Sequence, residues 1–111
     1  MIPYVPDEGH IVHMDFSPQA GREMAGPHYA VVLSKQVFNV GTGLTMVVPI
    51  TTKGKGSVFE IVVHAGRVKG YAVASGAKTI DYLERKMKYE AECPAHTLAQ
   101  IREVVHAIVG G

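Results

Sequence analysis

The chain has 111 residues, of which 47% are hydrophobic, and a formal net charge of +1 with histidine neutral. That length predicts a single domain over 1–111, and the composition excludes a disordered chain. The low net charge excludes a protein that binds nucleic acid by bulk electrostatics, so any polyanion must be bound by local clusters. Cys93, the only cysteine, excludes an internal disulfide and fits a reducing compartment. No apolar run approaches the roughly 18 residues of a membrane span. We therefore expect a cytoplasmic protein with no membrane partner.

Apolar patterns predict a series of short strands up to residue 92. We expect strands over 10–16, 29–34, 44–50, 58–63 and 71–74, and a weaker one over 86–89. Gly and Pro residues predict a long loop over 17–27, a connection with one helical turn over 35–42, and a turn over 66–70.

After Pro94 the pattern changes to a helical period. Apolar residues recur at spacings of three and four: Leu98, Ile101, Val105 and Ile108, with Val104 and Val109 beside them. This stripe predicts one amphipathic helix that packs on the sheet and ends at Gly110. Many short strands followed by one helix predict an α+β domain, mainly β, with a barrel-like sheet.

The stretch over 44–56 joins an apolar strand to a basic, glycine-containing rim. We expect the strand to be buried, including Leu44 and Met46, and to deliver Thr51 and Thr52 to a loop with two lysines, Lys53 and Lys55. A rigid strand that ends in hydroxyls and cations can place phosphate-binding groups at the edge of a core. An ordinary strand followed by a solvated turn explains the same residues.

His28 precedes the strand over 29–34. If that strand pairs antiparallel with the one at 44–50, its start lies beside the other's end, and His28 meets Thr51. Histidine moves protons near neutral pH, while cations and hydroxyls stabilise charge on phosphate oxygens. With the loop carboxylate of Glu23 nearby, these groups suit a phosphodiester. A solvated histidine beside a turn is the alternative.

Metal and nucleotide motifs are absent from the sequence. The six histidines include no HxxxH pair, and His10 and His13 lie three apart on a predicted strand, which directs them to opposite faces. There is no P-loop, no GxSxG and no GxGxxG that opens a helix. Cys93 has no basic neighbour in sequence and is expected to be a packed residue. We expect no metal and no cofactor.

Almost the whole chain resembles the MazF/PemK family of bacterial toxin ribonucleases. The matching residues run in order along the chain: Tyr4-Val5-Pro6-Asp7 with Gly9; Asp15-Phe16-Ser17-Pro18 with Gly21, Glu23 and Gly26; Ala30-Val31-Val32-Leu33-Ser34; Asn39; Thr42-Gly43; Val48-Pro49-Ile50-Thr51-Thr52 with Lys55-Gly56; Phe59-Glu60; and Lys78-Thr79-Ile80-Asp81 before the C-terminal helix. The resemblance implies an SH3-like barrel, a homodimer and a sequence-specific endoribonuclease toxin, an mRNA interferase. Members of the family cut single-stranded RNA without metal, leave a 2′,3′-cyclic phosphate and a 5′-hydroxyl, and are neutralised by a MazE-type antitoxin.

The departures from the family pattern fall at the expected active site. The family usually has Arg-Pro before the strand Ala-Val-Val-Leu, whereas this chain has His28-Tyr29. That arginine is the family's main catalytic residue, and its partner threonine matches Thr51. In a branch that takes an arginine and an aspartate from a later segment, the matching positions are Val73 and Ser75, which cannot act as acid and base.

Two hypotheses therefore stay open. In the first, the chain is an active ribonuclease with catalytic His28, Thr51 and Glu23. Its expected RNA-binding residues are Gln19, Arg22, Thr52, Lys53, Lys55 and Lys78. In the second, the replacement of arginine by His28 leaves an attenuated or inactive member that still dimerises and binds antitoxin or RNA. A homodimer is also expected from an apolar surplus: Met14, Met24, Met46, Val47 and Tyr71.

Overall fold

The computed structural model describes residues 3–16, 21 and 25–110, which form seven strands, two α-helices and one 3₁₀ turn. The strands are β1 His10–Asp15, β2 Pro27–Val32, β3 Leu44–Thr51, β4 Glu60–Ala65, β5 Val68–Val73, β6 Lys78–Asp81 and β7 Lys88–Glu92. The helices are α1 Gln36–Thr42 and α2 Ala95–Ile108, and the 3₁₀ turn is Ala74–Gly76. No helix in this range is long and apolar enough to cross a membrane.

The strand β3 is the centre of the sheet. The sheet is antiparallel with the order β4-β5-β3-β2-β1-β7, and it curls into a half-barrel against which α2 packs. On one side β3 pairs with β2. On the other side its first half pairs with β6 and its last two residues, Ile50 and Thr51, pair with β5. This architecture confirms the predicted fold class.

Both faces of β3 are buried over residues 47–50, which explains the continuous apolar sequence there. Side chains alternate between the faces of a strand. One face contributes Val48 and Ile50 to a cluster that includes Ile101 of α2. The other contributes Val47 to a second cluster with Phe16, which the lead-in residues Tyr4 and Val5 cover.

Several sequence predictions about the elements were wrong in detail. The turn expected over 66–70 is shorter, because β5 already begins at Val68. The strand expected over 86–89 lies instead at Lys88–Glu92, and β6 was not predicted. Leu44 and Met46 are 38% and 39% exposed, because they lie beyond the cluster that buries Val48.

The apolar stripe of α2 is buried only over its first turns. Ile101 is fully buried, and Leu98, Val104 and Val105 pack against the same cluster. Ile108 and Val109 are 44% and 74% exposed, so the prediction that the whole stripe packs on the sheet was wrong. The last turn of the helix runs past the cluster on which the stripe packs.

A buried polar network, which we name the Asn39 network, fixes the beginning of β3. Its side chains are Ser34, Asn39 and Thr45, and the last two are fully buried. The Ser34 hydroxyl donates to Asn39 Oδ1 (2.6 Å) and lies 3.1 Å from the Thr45 hydroxyl. Asn39 Nδ2 donates to the carbonyl of Pro6 (2.8 Å), which ties the lead-in to α1.

Candidate active-site cleft

The end of β3 opens into a cleft of about 690 Å³, which we name the Thr51 cleft. It lies where the start of β2, the end of β3, the following loop and the segment after β5 meet. The lining residues are Phe16, His28, Pro49, Thr51, Lys53, Lys55, Glu60, Val73, Ser75, Gly76, Ala77 and Lys78. The cleft therefore collects polar and charged groups from four separate stretches of the chain.

Antiparallel pairing of β2 with β3 brings His28 and Thr51 together. Tyr29 is opposite Ile50 in the register, so the next position along the ladder sets His28 beside Thr51. Both side chains line the cleft. The predicted pairing of these two strand ends is confirmed, while the catalytic roles of the two residues remain predictions.

The ring of His28 is held in one orientation. Its Nε2 lies 2.8 Å from the carbonyl oxygen of Ala25, and because a carbonyl only accepts, Nε2 carries the hydrogen. In the neutral ring Nδ1 is then the nitrogen that accepts a proton. The ring also packs edge-on against Phe16, with centroids 6.1 Å apart. His28 is therefore an oriented imidazole with one defined basic atom.

The hydroxyl of Thr51 is oriented by the loop that follows it. The backbone N–H of Lys53 donates to Thr51 Oγ1 over 3.1 Å, as in the turns that Ser and Thr form with the residue two positions later. Because this bond uses the oxygen as an acceptor, the hydroxyl hydrogen can donate to an oxygen in the cleft. A phosphate oxygen is a suitable acceptor for it.

The cleft is electropositive. Among its described lining residues, three lysines (Lys53, Lys55 and Lys78) accompany one carboxylate, Glu60. The Nζ of Lys78 lies 5.5 Å from the centroid of the Phe16 ring, a distance at which a cation is attracted to the ring face. The ring of Phe16 thus lies beside both Lys78 and His28.

A second cavity of about 850 Å³ shares Lys78 with the Thr51 cleft. Its charged lining mixes Lys78, Arg85, Lys86 and Lys88 with Asp15, Asp81 and Glu84. It holds neither His28 nor Thr51. The smaller cleft is therefore the better candidate for phosphate chemistry, despite the size of the second cavity.

The structure brings five of the predicted site residues into one cleft: His28, Thr51, Lys53, Lys55 and Lys78. Thr52 is exposed and does not line it. Glu23, Gln19 and Arg22 lie outside the described residues. Val73 and Ser75 line the cleft but carry no group that transfers a proton at neutral pH.

Phe16 and Glu60 line the cleft and were missed as site residues by sequence reasoning. Phe16 was noted in a predicted strand and among the residues that match the family, but no role at the site was assigned to it. Glu60 had a weak signal, because it is the first carboxylate after the Lys/Gly loop. Cys93 is buried, and burial raises the pKa of its thiol to about 11, which excludes it as a thiolate nucleophile near neutral pH.

Comparison with known proteins decides the family. A model of PemK-like, MazF-like toxins of type II toxin–antitoxin systems matches residues 7–109. The chain belongs to this family. The endoribonuclease toxin MazF of Escherichia coli (strain K12) is 36% identical to this MazF-like chain over 107 residues, which cover 96% of each protein.

Solved structures of the same family agree with the fold. A crystal structure of MazF from Deinococcus radiodurans superimposes with a TM-score of 0.94 and 38% identity, over 98% of this chain and 100% of that one. A MazE–MazF structure from the same organism gives a TM-score of 0.85 and 34% identity, over 97% and 98% of the two chains.

Proposed function

We propose that this MazF-like toxin is a sequence-specific endoribonuclease that cuts single-stranded RNA without a metal ion. The observation that carries the proposal is the Thr51 cleft, in which an oriented imidazole, a hydroxyl and three lysines surround a space large enough for a phosphodiester. The E. coli relative is named an endoribonuclease toxin. We expect the reaction to take place in the cytoplasm, where the RNA substrate is present.

The chemistry uses the RNA's own 2′-hydroxyl. Its oxygen attacks the adjacent phosphorus, the bond from phosphorus to the 5′ oxygen breaks, and a 2′,3′-cyclic phosphate and a 5′-hydroxyl form. One proton must leave the 2′-oxygen and another must reach the 5′-oxygen. His28 serves as one proton carrier through Nδ1, and Glu23 is the predicted second carrier. Thr51 donates a hydrogen bond to a phosphate oxygen, while Lys53, Lys55 and Lys78 offset the phosphate charge.

The replacement of the family's arginine by His28 supports a second candidate function. Arginine carries a permanent charge and a fork of donors, whereas imidazole carries charge only when protonated. His28 also uses its Nε2–H on Ala25. An attenuated toxin that still binds RNA and antitoxin fits these facts, and the variant His28→Arg separates the two candidates.

A defined single-stranded RNA incubated with the purified protein in EDTA tests the proposed activity. We expect cleavage, with a cyclic phosphate and a 5′-hydroxyl at the new ends. An RNA with a deoxyribose on the 5′ side of the scissile phosphate should resist, because it lacks the attacking oxygen. Loss of activity in EDTA that a divalent ion restores would contradict the metal-free mechanism.

A MazE-type antitoxin is the proposed protein partner. The D. radiodurans MazE–MazF structure supports this partner, because its MazF superimposes on this chain almost throughout. Since the antitoxin neutralises the toxin, adding a MazE-type protein to the cleavage reaction should stop it. Cleavage that continues at a saturating antitoxin concentration, with complex formation shown by gel filtration, would contradict neutralisation.

A homodimer is the proposed assembly, but the exposed apolar residues that support it differ from those predicted from the sequence. Met14 and Val47 are buried within the chain's own core, Tyr71 is half-buried and Met24 lies outside the described residues. Met46 remains exposed, and further apolar side chains are exposed near it: Val37, Phe38, Val40 and Leu44. We expect sedimentation at micromolar concentration to give twice the chain mass. A clean monomer across that range would contradict the dimer.

A further inference from the structure

The loop between β3 and β4 is held by a carboxylate. Glu60, half-buried at the start of β4, accepts hydrogen bonds from three consecutive backbone N–H groups of the loop. The N–H of Lys55 lies 3.0 Å from both carboxylate oxygens, and those of Gly56 and Ser57 lie 3.0 and 3.3 Å from Oε1. Consecutive N–H groups that converge in this way form a concave anion site, which here is filled by the protein's own side chain.

The other side of the loop rests on β5. A Cβ placed on Gly54 would lie 2.7 Å from the ring of Tyr71, so the backbone passes directly over that ring. A Cβ on Gly70 would lie 2.5 Å from the carbonyl oxygen of Thr51. Only glycine allows these two approaches. Lys53 and Lys55 therefore extend from a backbone that Tyr71 supports on one side and Glu60 holds on the other.

A carboxylate in a cleft for phosphate has a cost, because like charges repel. The three N–H groups satisfy Glu60 and reduce the negative charge that it presents to a ligand. Its contacts are those of a clamp on the backbone of the lysine loop.

We propose that Glu60 is a positioning residue that holds the backbone at Lys55–Gly56–Ser57, so that Lys53 and Lys55 present their ammonium groups to an RNA phosphate. This inference rests on the proposed endoribonuclease function. It adds a residue whose own charge opposes RNA binding and whose geometry promotes it.

Those two effects predict opposite signs for the same substitution. If Glu60 only repels phosphate, its removal strengthens RNA binding. If it positions the lysines, Glu60→Ala weakens binding, and we expect about a tenfold loss of affinity, the size of one charge-assisted hydrogen bond to phosphate. Glu60→Gln keeps an acceptor oxygen for the loop amides, so we expect it to restore most of the affinity that Glu60→Ala loses.

The experiment measures binding of a cleavage-resistant RNA, with deoxyribose before the scissile phosphate, to the full chain by fluorescence anisotropy. The variants are Glu60→Ala, Glu60→Gln, Lys55→Ala and the double variant that combines Glu60→Ala with Lys55→Ala. Glu103→Ala, on the exposed face of α2, is the matched control for loss of a surface glutamate. Lys55→Ala should weaken binding severalfold in the parent and less than twofold in the Glu60→Ala background.

Salt dependence and cleavage kinetics separate positioning from a general loss of structure. For single-stranded nucleic acid the slope of log K against log salt falls by about 0.7 for each lost phosphate contact, and we expect that decrease in Glu60→Ala. With cleavable RNA, KM should rise about as much as the affinity falls, while kcat changes less than twofold.

Binding that is unchanged or tighter in Glu60→Ala, or additive losses in the double variant, would overturn the inference while leaving the endoribonuclease function in place. If Glu60→Ala does not fold, the inference is tested by RNA binding of Glu60→Gln and by the salt dependence of Lys55→Ala. Tighter RNA binding by Glu60→Gln than by the parent, or a salt slope in Lys55→Ala equal to that of the parent, would overturn the inference. A parent chain that neither binds nor cuts RNA would overturn the proposed function and this inference together.

Discussion

The two ends of β3 use the same kinds of residue for different purposes. At the start, Thr45 is fully buried, and its hydroxyl lies 3.1 Å from that of Ser34 within the Asn39 network. At the end, Thr51 is half-buried, and among the residues that the structure describes its oxygen accepts one hydrogen bond, from the loop N–H of Lys53. A hydroxyl whose hydrogen-bond partners are all supplied by the protein stabilises the fold. A hydroxyl that can still donate a hydrogen bond into an open cleft can bind a ligand.

The hydrogen bonds at the start of β3 join polar groups of the protein to one another. The Ser34 hydroxyl donates its hydrogen to Asn39, so it accepts from Thr45 and from the backbone N–H of Met46 (2.9 Å). The backbone carbonyl of Asn39 accepts from the buried Tyr82 hydroxyl over 3.2 Å. The Thr51 cleft is open by contrast. Glu60 holds the backbone that carries Lys55, and the ring of Phe16 lies beside the ammonium group of Lys78.

The largest predicted effect on stability is in the Asn39 network, at the start of β3. Asn39→Ala removes a buried amide and leaves the Pro6 carbonyl and the Ser34 hydroxyl with one partner fewer. We expect the free energy of unfolding to fall by about 2–4 kcal/mol in urea denaturation. Gln36→Ala, an exposed amide on the same helix, is the matched control and should change it by less than about 0.5 kcal/mol. Equal effects of the two substitutions would mean that the network adds no stability.

The same substitution at both ends of β3 sharpens the comparison. Thr45→Val should lower the free energy of unfolding by about 1 kcal/mol and leave RNA cleavage unchanged. Thr51→Val should leave stability almost unchanged and slow cleavage about five- to tenfold, the worth of one hydrogen bond in the transition state. Urea denaturation and single-turnover cleavage of both variants measure this. If Thr45→Val slowed the reaction more than Thr51→Val, the two ends would not be separate in function.

The sequence predicted the centre of this molecule better than its edges. β3 and its partner β2 have strong β-branched patterns, so their pairing and the meeting of His28 with Thr51 could be predicted. β6 has only four residues, and its pairing with the first half of β3 depends on a long-range contact that no local pattern reports.

The missed site residues act through contacts that a linear pattern does not encode. Phe16 matters because its ring touches Lys78 and His28, which lie far apart in sequence. Glu60 matters because it binds backbone N–H groups, which every residue type provides. The exposure of Leu44 and Met46 was unpredictable for a related reason. Because both faces of β3 are buried over residues 47–50, its apolar run does not alternate with polar residues in a way that marks where burial ends.

A smaller effect concerns pH and again involves the scaffold rather than the cleft. Burial raises the pKa of Cys93 to about 11, and burial, with nearby acidic groups, raises the pKa of the Tyr4 hydroxyl well above its usual range. Both groups ionise first in the unfolded chain. The stabilisation from Cys93 is therefore complete below about pH 9 and is lost as pH rises toward 11, while that from Tyr4 is lost at still higher pH. The thermal midpoint should fall across that window, and Cys93→Ala should show a shallower fall. An identical slope in that variant would exclude the thiol as a cause.

Single-turnover cleavage of a defined RNA by the parent, His28→Ala and His28→Arg tests the catalytic role of His28 most directly. We expect His28→Ala to be slower by about 10²-fold or more, the usual worth of a positioned acid or base, with RNA affinity and the unfolding midpoint unchanged. The parent rate should depend on pH, because a proton carrier must change its protonation state, and this dependence should weaken in His28→Arg. A His28→Arg variant that is slower than the parent confirms histidine as a proton carrier, and one that is much faster identifies the chain as an attenuated toxin. If neither substitution changes the rate, His28 is not catalytic and the assignment of the cleft is wrong.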